Sequence, residues 1–219
     1  MCSTFSRRRF FKRSFAIAAQ ILLPGGMMRS AEEAAVVPFL PSDLAEFDRL
    51  SKPIQVLIQR ASELTRRNLA YRYGSDDPQN GGMDCSGTIC HTLGLVGIEA
   101  PRSSKDQYLW VKKKGTLHSI AKPPESLADQ VFQALKPGDL LFWEGTYDTG
   151  DDDLPVSHVM IYLGTLKADQ KPVLFGASSG RRFRGKSIHG VSAFDFHLPR
   201  AGSTSRLVGY SPIPGLSDR

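Results

Sequence analysis

Apolar residues recur every three or four positions early in the chain, which is the period of an amphipathic helix. After Pro53 this stripe consists of Ile54, Leu57, Ile58, Ala61 and Leu64. Pro53 suits the first turn of a helix, where a missing backbone N–H costs nothing. A loop of turn-forming residues, 74–82, follows. Beyond it the pattern predicts a second helix from Asp84 to Leu95 and a short third one over 104–112.

The period changes to two after Pro137, which indicates strands. The clearest strands are predicted at 139–143, 156–164 and 173–178, with weaker ones near 190–194 and 206–210. Helices followed by antiparallel strands are typical of an α+β fold. No stretch reaches the roughly 18 to 20 apolar residues of a membrane-spanning helix. We therefore expect no stable membrane insertion of the folded part.

The first 31 residues have the order of an export signal, with a basic block, an apolar stretch and then small residues. The basic block 6-SRRRFFKR-13 resembles the twin-arginine signal pattern, with Phe11 where leucine is usual. The alternative is a basic amphipathic or disordered tail. We expect a signal over 1–31, a connecting segment over 32–52, the folded domain over 53–212 and a tail over 213–219.

Removing the signal changes the charge balance of the chain. Six of the 28 basic residues lie in 1–31, which leaves 22 basic against 22 acidic residues in the remainder. A chain with no net charge is not expected to bind nucleic acid, which selects for a basic face. The local run 181-RRFRGK-186 is interpreted as a solvated loop, and so is the acidic run 148-DTGDDD-153.

Two cysteines remain beyond the signal, and they are expected to differ in role. Cys85 and Cys90 are five positions apart on one predicted helix, so their Cα atoms lie about 8 Å apart, beyond disulfide reach. Cys85 stands at the helix start, where free N–H groups favour a thiolate and can hold an oxyanion. Cys90 is expected to pack in the core. A zinc site built from Cys85, Cys90 and His91 lacks the usual ligand spacing.

A histidine on a later strand completes a candidate catalytic pair. On the strand 156–164, His158, Met160 and Tyr162 share one face. An imidazole there, packed against the cysteine helix, is what a Cys-His pair requires. The alternative for His158 is a structural histidine.

The chain contains an ordered series of short motifs, namely 71-YRYG-74, 84-DCSG-87, 101-PR-102 followed by 107-QY-108, 136-KPGDLLFW-143 and 157-SHVMIYLG-164. In order and spacing this series resembles the NlpC/P60 papain-like cysteine endopeptidases of bacterial cell walls. The resemblance covers roughly residues 55–195.

The resemblance implies a papain-like α+β core in which the cysteine helix packs on an antiparallel sheet. It implies that Cys85 is the nucleophile and His158 the general base. Tyr71, Asp84 and Ser86 would contact substrate, since some members use the last two to hold the free amine of the stem peptide. Arg102 matches an arginine with a structural role.

One position departs from the family pattern. The third catalytic residue is usually a His, Asn or Gln that orients the imidazole, and here Gly176 occupies its place in 174-LFGASSG-180. The alternatives for that role are a backbone carbonyl or a water molecule, or a polar residue such as Ser178 or His189. A degenerate enzyme is the remaining alternative.

The expected function is hydrolysis of amide bonds in peptidoglycan stem peptides, such as the bond from the γ-carboxyl of D-glutamate to the diamino acid. The protein is expected to act as a monomer in the periplasm or outside the cell, without metal or organic cofactor. The rivals are an amidase or acyltransferase on the same fold and a non-catalytic wall-binding protein.

Overall fold

The computed structural model describes residues 36–150 and 153–216. The expected signal segment lies outside the described residues. Three α-helices precede the longer strands in the chain: α1 (Lys52–Thr65), α2 (Cys85–Gly94) and α3 (Ser104–Lys113). Their starts lie within one residue of the positions that the hydrophobic pattern predicts.

The strands form one sheet that contains every strand of the described residues. The five longer ones are β4 (Leu140–Glu144), β5 (Val156–Thr165), β6 (Pro172–Phe183), β7 (Lys186–Asp195) and β8 (Arg206–Ser211). Three two-residue strands extend the edges: β1 (Ala70–Tyr71), β2 (Gly82–Met83) and β3 (His118–Ser119). The spatial order is β2-β1-β7-β6-β5-β4-β8-β3, and β1–β2 is the parallel pair. The predicted α+β fold is confirmed.

Helix α2 begins where the sequence provides an N-terminal capping residue, Asp84, followed by a small residue, Gly87. The carboxylate of Asp84 caps the helix by accepting a hydrogen bond from the Gly87 backbone N–H, at 2.7 Å. A Cβ atom at position 87 would overlap the carbonyl oxygen of Ser75. Glycine therefore lets the loop before the helix lie directly on its first turn.

The core lies between the helices and the sheet. Helix α1 contacts β7, α2 contacts β5 and β6, and α3 contacts β5. Residues on both sides of the expected domain also pack into this core, with Phe39 and Leu44 before it and Ile213 and Leu216 after it. Within the described ranges, no helix is long and apolar enough to cross a membrane.

The basic run 181–186 is not a solvated loop, as the sequence suggested, but the end of a β-hairpin. Strands β6 and β7 are joined through Arg184 and Gly185, whose φ values are +48° and +79°. Two consecutive positive φ values are typical of the tight turn that matches the twist of a hairpin. Because strand residues alternate faces, the arginines of this run do not share one environment.

Candidate active site

The thiol of Cys85 lies at the first turn of α2 and points at the backbone of β5. Its Sγ atom is 4.0 Å from the carbonyl oxygen of Ser157. Backbone N–H groups of Cys85, Ser86 and Val159 are directed towards the sulfur and favour its ionised form. The sulfur thus meets β5 on both sides of His158.

His158 is buried on β5 beside the fully buried ring of Trp143 on β4. The two residues are paired across the strands, and their ring centroids are 5.7 Å apart. The Nε2 atom of His158 is buried and has no hydrogen-bond partner among the described residues. The structure therefore places the Cys85 thiol against the β5 backbone on both sides of His158, and it leaves one imidazole nitrogen without a partner among the described residues.

Burial governs the protonation of both groups. It raises the pKa of the Cys85 thiol to about 11, and the Asp84 carboxylate adds to this rise. Burial also holds the pKa of His158 well below its ordinary value, and the nearby charge of Arg181 lowers it further. A neutral thiol therefore stands near a neutral imidazole at pH 7. The thiolate-favouring effect expected of the helix start is outweighed by desolvation.

The side chains of Asp84 and Ser86 both accept hydrogen bonds from Arg102. The Nη1 atom of Arg102 is 3.0 Å from Asp84 Oδ1, and its Nη2 atom is 2.7 Å from Asp84 Oδ2. The same Nη1 atom donates to Ser86 Oγ at 3.1 Å, and Gly74 N–H donates to Asp84 Oδ2 at 2.8 Å. Asp84 and Ser86 also line the cavity that contains Cys85, so an incoming amine would share these acceptors with the Arg102 guanidinium.

Two cavities flank the pair and share a wall of three tyrosines, Tyr71, Tyr73 and Tyr147. The smaller cavity, about 290 Å³, contains Cys85 and the Asp84–Arg102 ion pair. The larger one, about 740 Å³, contains His158. Tyr73 and Tyr147 meet edge to face with ring centroids 6.2 Å apart.

The predicted substrate-contacting residue Tyr71 is partly buried in this wall. Burial raises the pKa of its hydroxyl, and the nearby Cys85 and Asp84 raise it further. The phenol therefore remains protonated and is able to donate a hydrogen bond to a ligand.

Gly176 faces Met160 rather than open space. A Cβ atom at position 176 would lie 3.2 Å from Met160 Cε and 3.3 Å from Met160 Cγ. The β5–β6 ladder ends at the pair Ile161–Phe175, and the same antiparallel register puts Ser178 across from His158. Ser178 and His158 line the same cavity.

His189, the other proposed substitute, lies on the opposite face of the sheet from Ser178. It pairs with Ser179 on β6, whereas Ser178 pairs with Gly190. Cys90 is partly buried on α2, and its thiol lies 3.4 Å from the carbonyl oxygen of Ala100.

Sequence reasoning missed Arg181 as a site residue. Its guanidinium carbon lies 4.7 Å above the centroid of the Trp143 ring, and the residue lines the His158 cavity. Nothing in the run 181-RRFRGK-186 distinguishes this arginine from its exposed neighbours. The side chain of Arg181 faces the His158 cavity because β6 continues to Phe183.

Comparison with known proteins identifies the family. The NlpC/P60 family model matches residues 68–182, which is more than half of the chain. The chain belongs to the NlpC/P60 family. The matched range includes Tyr71, Cys85, His158 and Arg181 and leaves out α1, β7 and β8.

One curated relative is similar over part of the chain. The γ-DL-glutamyl hydrolase of Bacillus subtilis is 33% identical over 130 residues, which are 59% of this chain and 25% of that protein. The chain thus spans about a quarter of the length of this curated relative.

Two solved structures are similar at lower identity. An NLP/P60 family protein of Staphylococcus aureus, described as similar to a lipoprotein, is 23% identical, with a TM-score of 0.47 over 75% of this chain and 42% of the other. A peptidoglycan hydrolase of Mycobacterium tuberculosis is 23% identical, with a TM-score of 0.38 over 78% of this chain and 71% of the other.

Proposed function

We propose that this protein is an exported cysteine endopeptidase that hydrolyses amide bonds in peptidoglycan stem peptides through Cys85 and His158. One observation carries the proposal. The Cys85 thiol, at a helix start, lies 4.0 Å from the carbonyl oxygen of the residue before His158. A buried thiol, a buried imidazole and free helix N–H groups in one place are the parts that acyl transfer needs.

The reaction begins with both groups neutral. His158 accepts the proton of the Cys85 thiol as the sulfur attacks the carbonyl carbon of the scissile amide. The carbonyl oxygen becomes an oxyanion, which the N–H groups at the start of α2 stabilise. When the tetrahedral intermediate collapses, the C–N bond breaks and His158 returns the proton to the departing amine.

Water completes the cycle. His158 removes a proton from a water molecule, whose oxygen attacks the thioester carbonyl carbon. The C–S bond then breaks, the acid product leaves, and the proton returns to Cys85. These steps use no metal or organic cofactor.

Membership of the NlpC/P60 family supports peptidoglycan as the substrate, with the bond from D-glutamate γ-carboxyl to the diamino acid as the first candidate. The Bacillus subtilis relative is named for a γ-glutamyl bond as well. The basic and apolar order of residues 1–31 supports export, and we propose that the protein acts as a monomer.

The second candidate is a non-catalytic wall-binding protein of the same family. It is favoured by the Nε2 atom of His158, which is buried without a hydrogen-bond partner among the described residues. Gly176 offers no side chain to support it. When nothing orients the imidazole, the catalysed reaction is slower, although the remaining catalytic residues retain part of the rate enhancement.

Cleavage of purified muropeptides under reducing conditions tests the two candidates. We expect Cys85→Ala and His158→Ala to lower kcat/KM by roughly 1000-fold or more. Cys90→Ala is the matched control, because it removes the other thiol of α2 and is expected to keep the wild-type rate. Released amines are quantified by mass spectrometry, and ester substrates run in parallel identify an acyltransferase.

The wall-binding candidate predicts a different pattern. No cleavage would depend on Cys85, and wild type and Cys85→Ala would bind isolated sacculi equally well.

A further inference from the structure

Among the described residues, the larger cavity beside the candidate pair is lined by a cationic side chain but by no carboxylate. It is lined by His158, by Arg181 and by hydroxyl groups that include those of Ser178, Ser179 and Ser205. None of its lining residues in the described ranges is an aspartate or glutamate. A guanidinium and several hydroxyl donors, with no carboxylate beside them, form a surface that suits an anion.

Arg181 is held in place before any ligand arrives. Its guanidinium stacks on the face of Trp143, with its carbon 4.7 Å from the ring centroid, and Trp143 is fully buried. Stacking of this kind fixes the plane of an arginine and leaves its N–H edges free. Among residues 36–150 and 153–216, no carboxylate lies within ion-pair distance of Arg181.

The other arginine near the pair has a different environment. Arg102 makes two hydrogen bonds to Asp84 and an ion pair with Asp76 at 3.3 Å. Its charge is therefore neutralised within the protein. Of the two guanidinium groups beside the candidate pair, Arg181 is the one whose charge is available to a ligand.

The position of Arg181 assigns it to one side of the scissile bond. In the proposed mechanism His158 protonates the departing nitrogen, so the leaving group occupies the cavity that His158 lines. The acyl part extends towards the cavity that contains Cys85. At about 740 Å³, the larger cavity falls within the roughly 300 to 1000 Å³ of small-ligand sites.

We infer that Arg181 binds a free carboxylate on the leaving-group side of the substrate, namely the second carboxylate of a diamino dicarboxylic acid in the stem peptide. This inference rests on the proposed function and deepens it. A diamino acid without that carboxylate, such as lysine, leaves Arg181 without a partner. The protein then selects stem peptides by the charge of the amino acid whose amine is released.

Paired substrates test the inference. The first is a stem peptide with a γ-D-glutamyl–meso-diaminopimelate bond and a free second carboxylate, and the second is the same peptide with that group converted to a carboxamide. A charge-assisted, bidentate hydrogen bond predicts a kcat/KM ratio of roughly 10 to 100 in favour of the carboxylate. In Arg181→Gln the ratio falls to about 1, and in Arg181→Lys part of it remains.

Arg182→Gln is the matched control. Arg182 is the exposed neighbour, and its side chain contacts the carbonyl oxygen of Gly185 in the hairpin turn. It carries the same charge, and its loss should leave the ratio unchanged. If Arg181→Gln instead lowers the rates on both substrates equally, Arg181 acts on the catalytic pair or on the fold, and the inference is overturned.

Binding separates failure of the inference from failure of the proposed function. Calorimetry with the Cys85→Ala protein measures the affinity for meso-diaminopimelyl-D-alanine and for L-lysyl-D-alanine. Tighter binding of the first ligand that disappears on adding Arg181→Gln supports the inference even in a protein that cleaves nothing. Equal affinities for the two ligands, or a preference that Arg181→Gln leaves unchanged, overturn it.

Discussion

Met160 occupies the space next to Gly176 on the face of the sheet that carries His158. A Cβ atom at position 176 would lie 3.2 Å from Met160 Cε, which is closer than most contacts that Cβ atoms make in proteins. The position where the family resemblance places an orienting side chain is thus filled by a neighbouring thioether. The change from a polar residue to glycine and the presence of a large residue at 160 fit each other.

Restoring the orienting side chain should raise activity only when Met160 makes room for it. We expect Gly176→Asn combined with Met160→Ala to increase kcat roughly tenfold over Met160→Ala alone, because the amide oxygen can accept from His158. Gly176→Asn alone should be less active than wild type, since it overpacks the core. Steady-state kinetics on the muropeptide measure both effects. A double variant no faster than Met160→Ala would count against this account.

The pH dependence of kcat/KM should report the low pKa of His158. The imidazole must be neutral to accept the thiol proton, so activity is lost as pH falls through its pKa. Because burial and Arg181 lower that pKa, the acid limb is expected well below pH 6.5, near which an ordinary histidine titrates. In Arg181→Gln the limb moves to higher pH, although burial still keeps it below the ordinary value.

Profiles from pH 4 to 9 for wild type, Arg181→Gln and the control Arg182→Gln provide the comparison. An acid limb that stays at the same pH in Arg181→Gln would contradict the electrostatic link between these two residues.

Removing the Arg102 guanidinium should destabilise the start of α2. Asp84 is nearly buried, and in Arg102→Gln its carboxylate keeps the helix-cap bond but loses the ion pair. An uncompensated buried carboxylate predicts a loss of about 2 kcal/mol in the free energy of unfolding. Chemical denaturation measures it, and Arg60→Gln, which breaks an exposed ion pair with Glu63, is the control. Equal small losses in both variants would show that the Arg102 pair contributes no more than a surface pair.

Asp139 should make the protein less stable at neutral pH than an asparagine would. Its carboxylate accepts a hydrogen bond from the Lys136 N–H at 2.9 Å, and burial raises its pKa to about 6. The folded state therefore binds the proton more tightly than the unfolded chain, whose aspartates titrate near 3.9. The stabilisation from the protonated acid is complete below about pH 4 and is lost as the pH rises through about 6.

Asp139→Asn mimics the protonated acid at every pH. We expect it to raise the free energy of unfolding by about 2 kcal/mol at pH 7.5 and by much less at pH 4. Denaturant titrations at both values measure the difference, and an equal change at both would argue against a titration effect.

The hydrophobic period predicted α1 and β5 well because each buries a continuous face, whereas β6 and β7 extend beyond their predicted ranges of 173–178 and 190–194. Helix α1 and strand β5 follow their patterns, with Leu57 and Ile58 buried on one and Val159 and Ile161 on the other. The strands β1, β2 and β3 were missed because two residues carry no period. Their pairing depends on backbone contacts between distant parts of the chain, such as Ala70 with Gly82.

Only part of the candidate site could be predicted from the sequence, for a similar reason. Motifs marked Cys85 and His158, whose chemistry depends on residue type and local position. The environment of Asp84 and the direction of Arg181 depend on tertiary packing, on Arg102 in the first case and on Trp143 in the second. A residue type shows which charge is present, and the fold decides whether that charge is neutralised or offered to a ligand.

Burial of the Cys85 thiol also bears on its chemical lifetime. Oxidants and foreign disulfides react with thiolates, and a thiol whose pKa is about 11 exposes almost none at neutral pH. An enzyme that kept a free thiolate outside the cytoplasm would be inactivated while it waited for substrate. In the proposed mechanism the sulfur becomes nucleophilic only as His158 takes its proton, so we expect the resting protein to be durable in oxidising surroundings without a reductant to repair it.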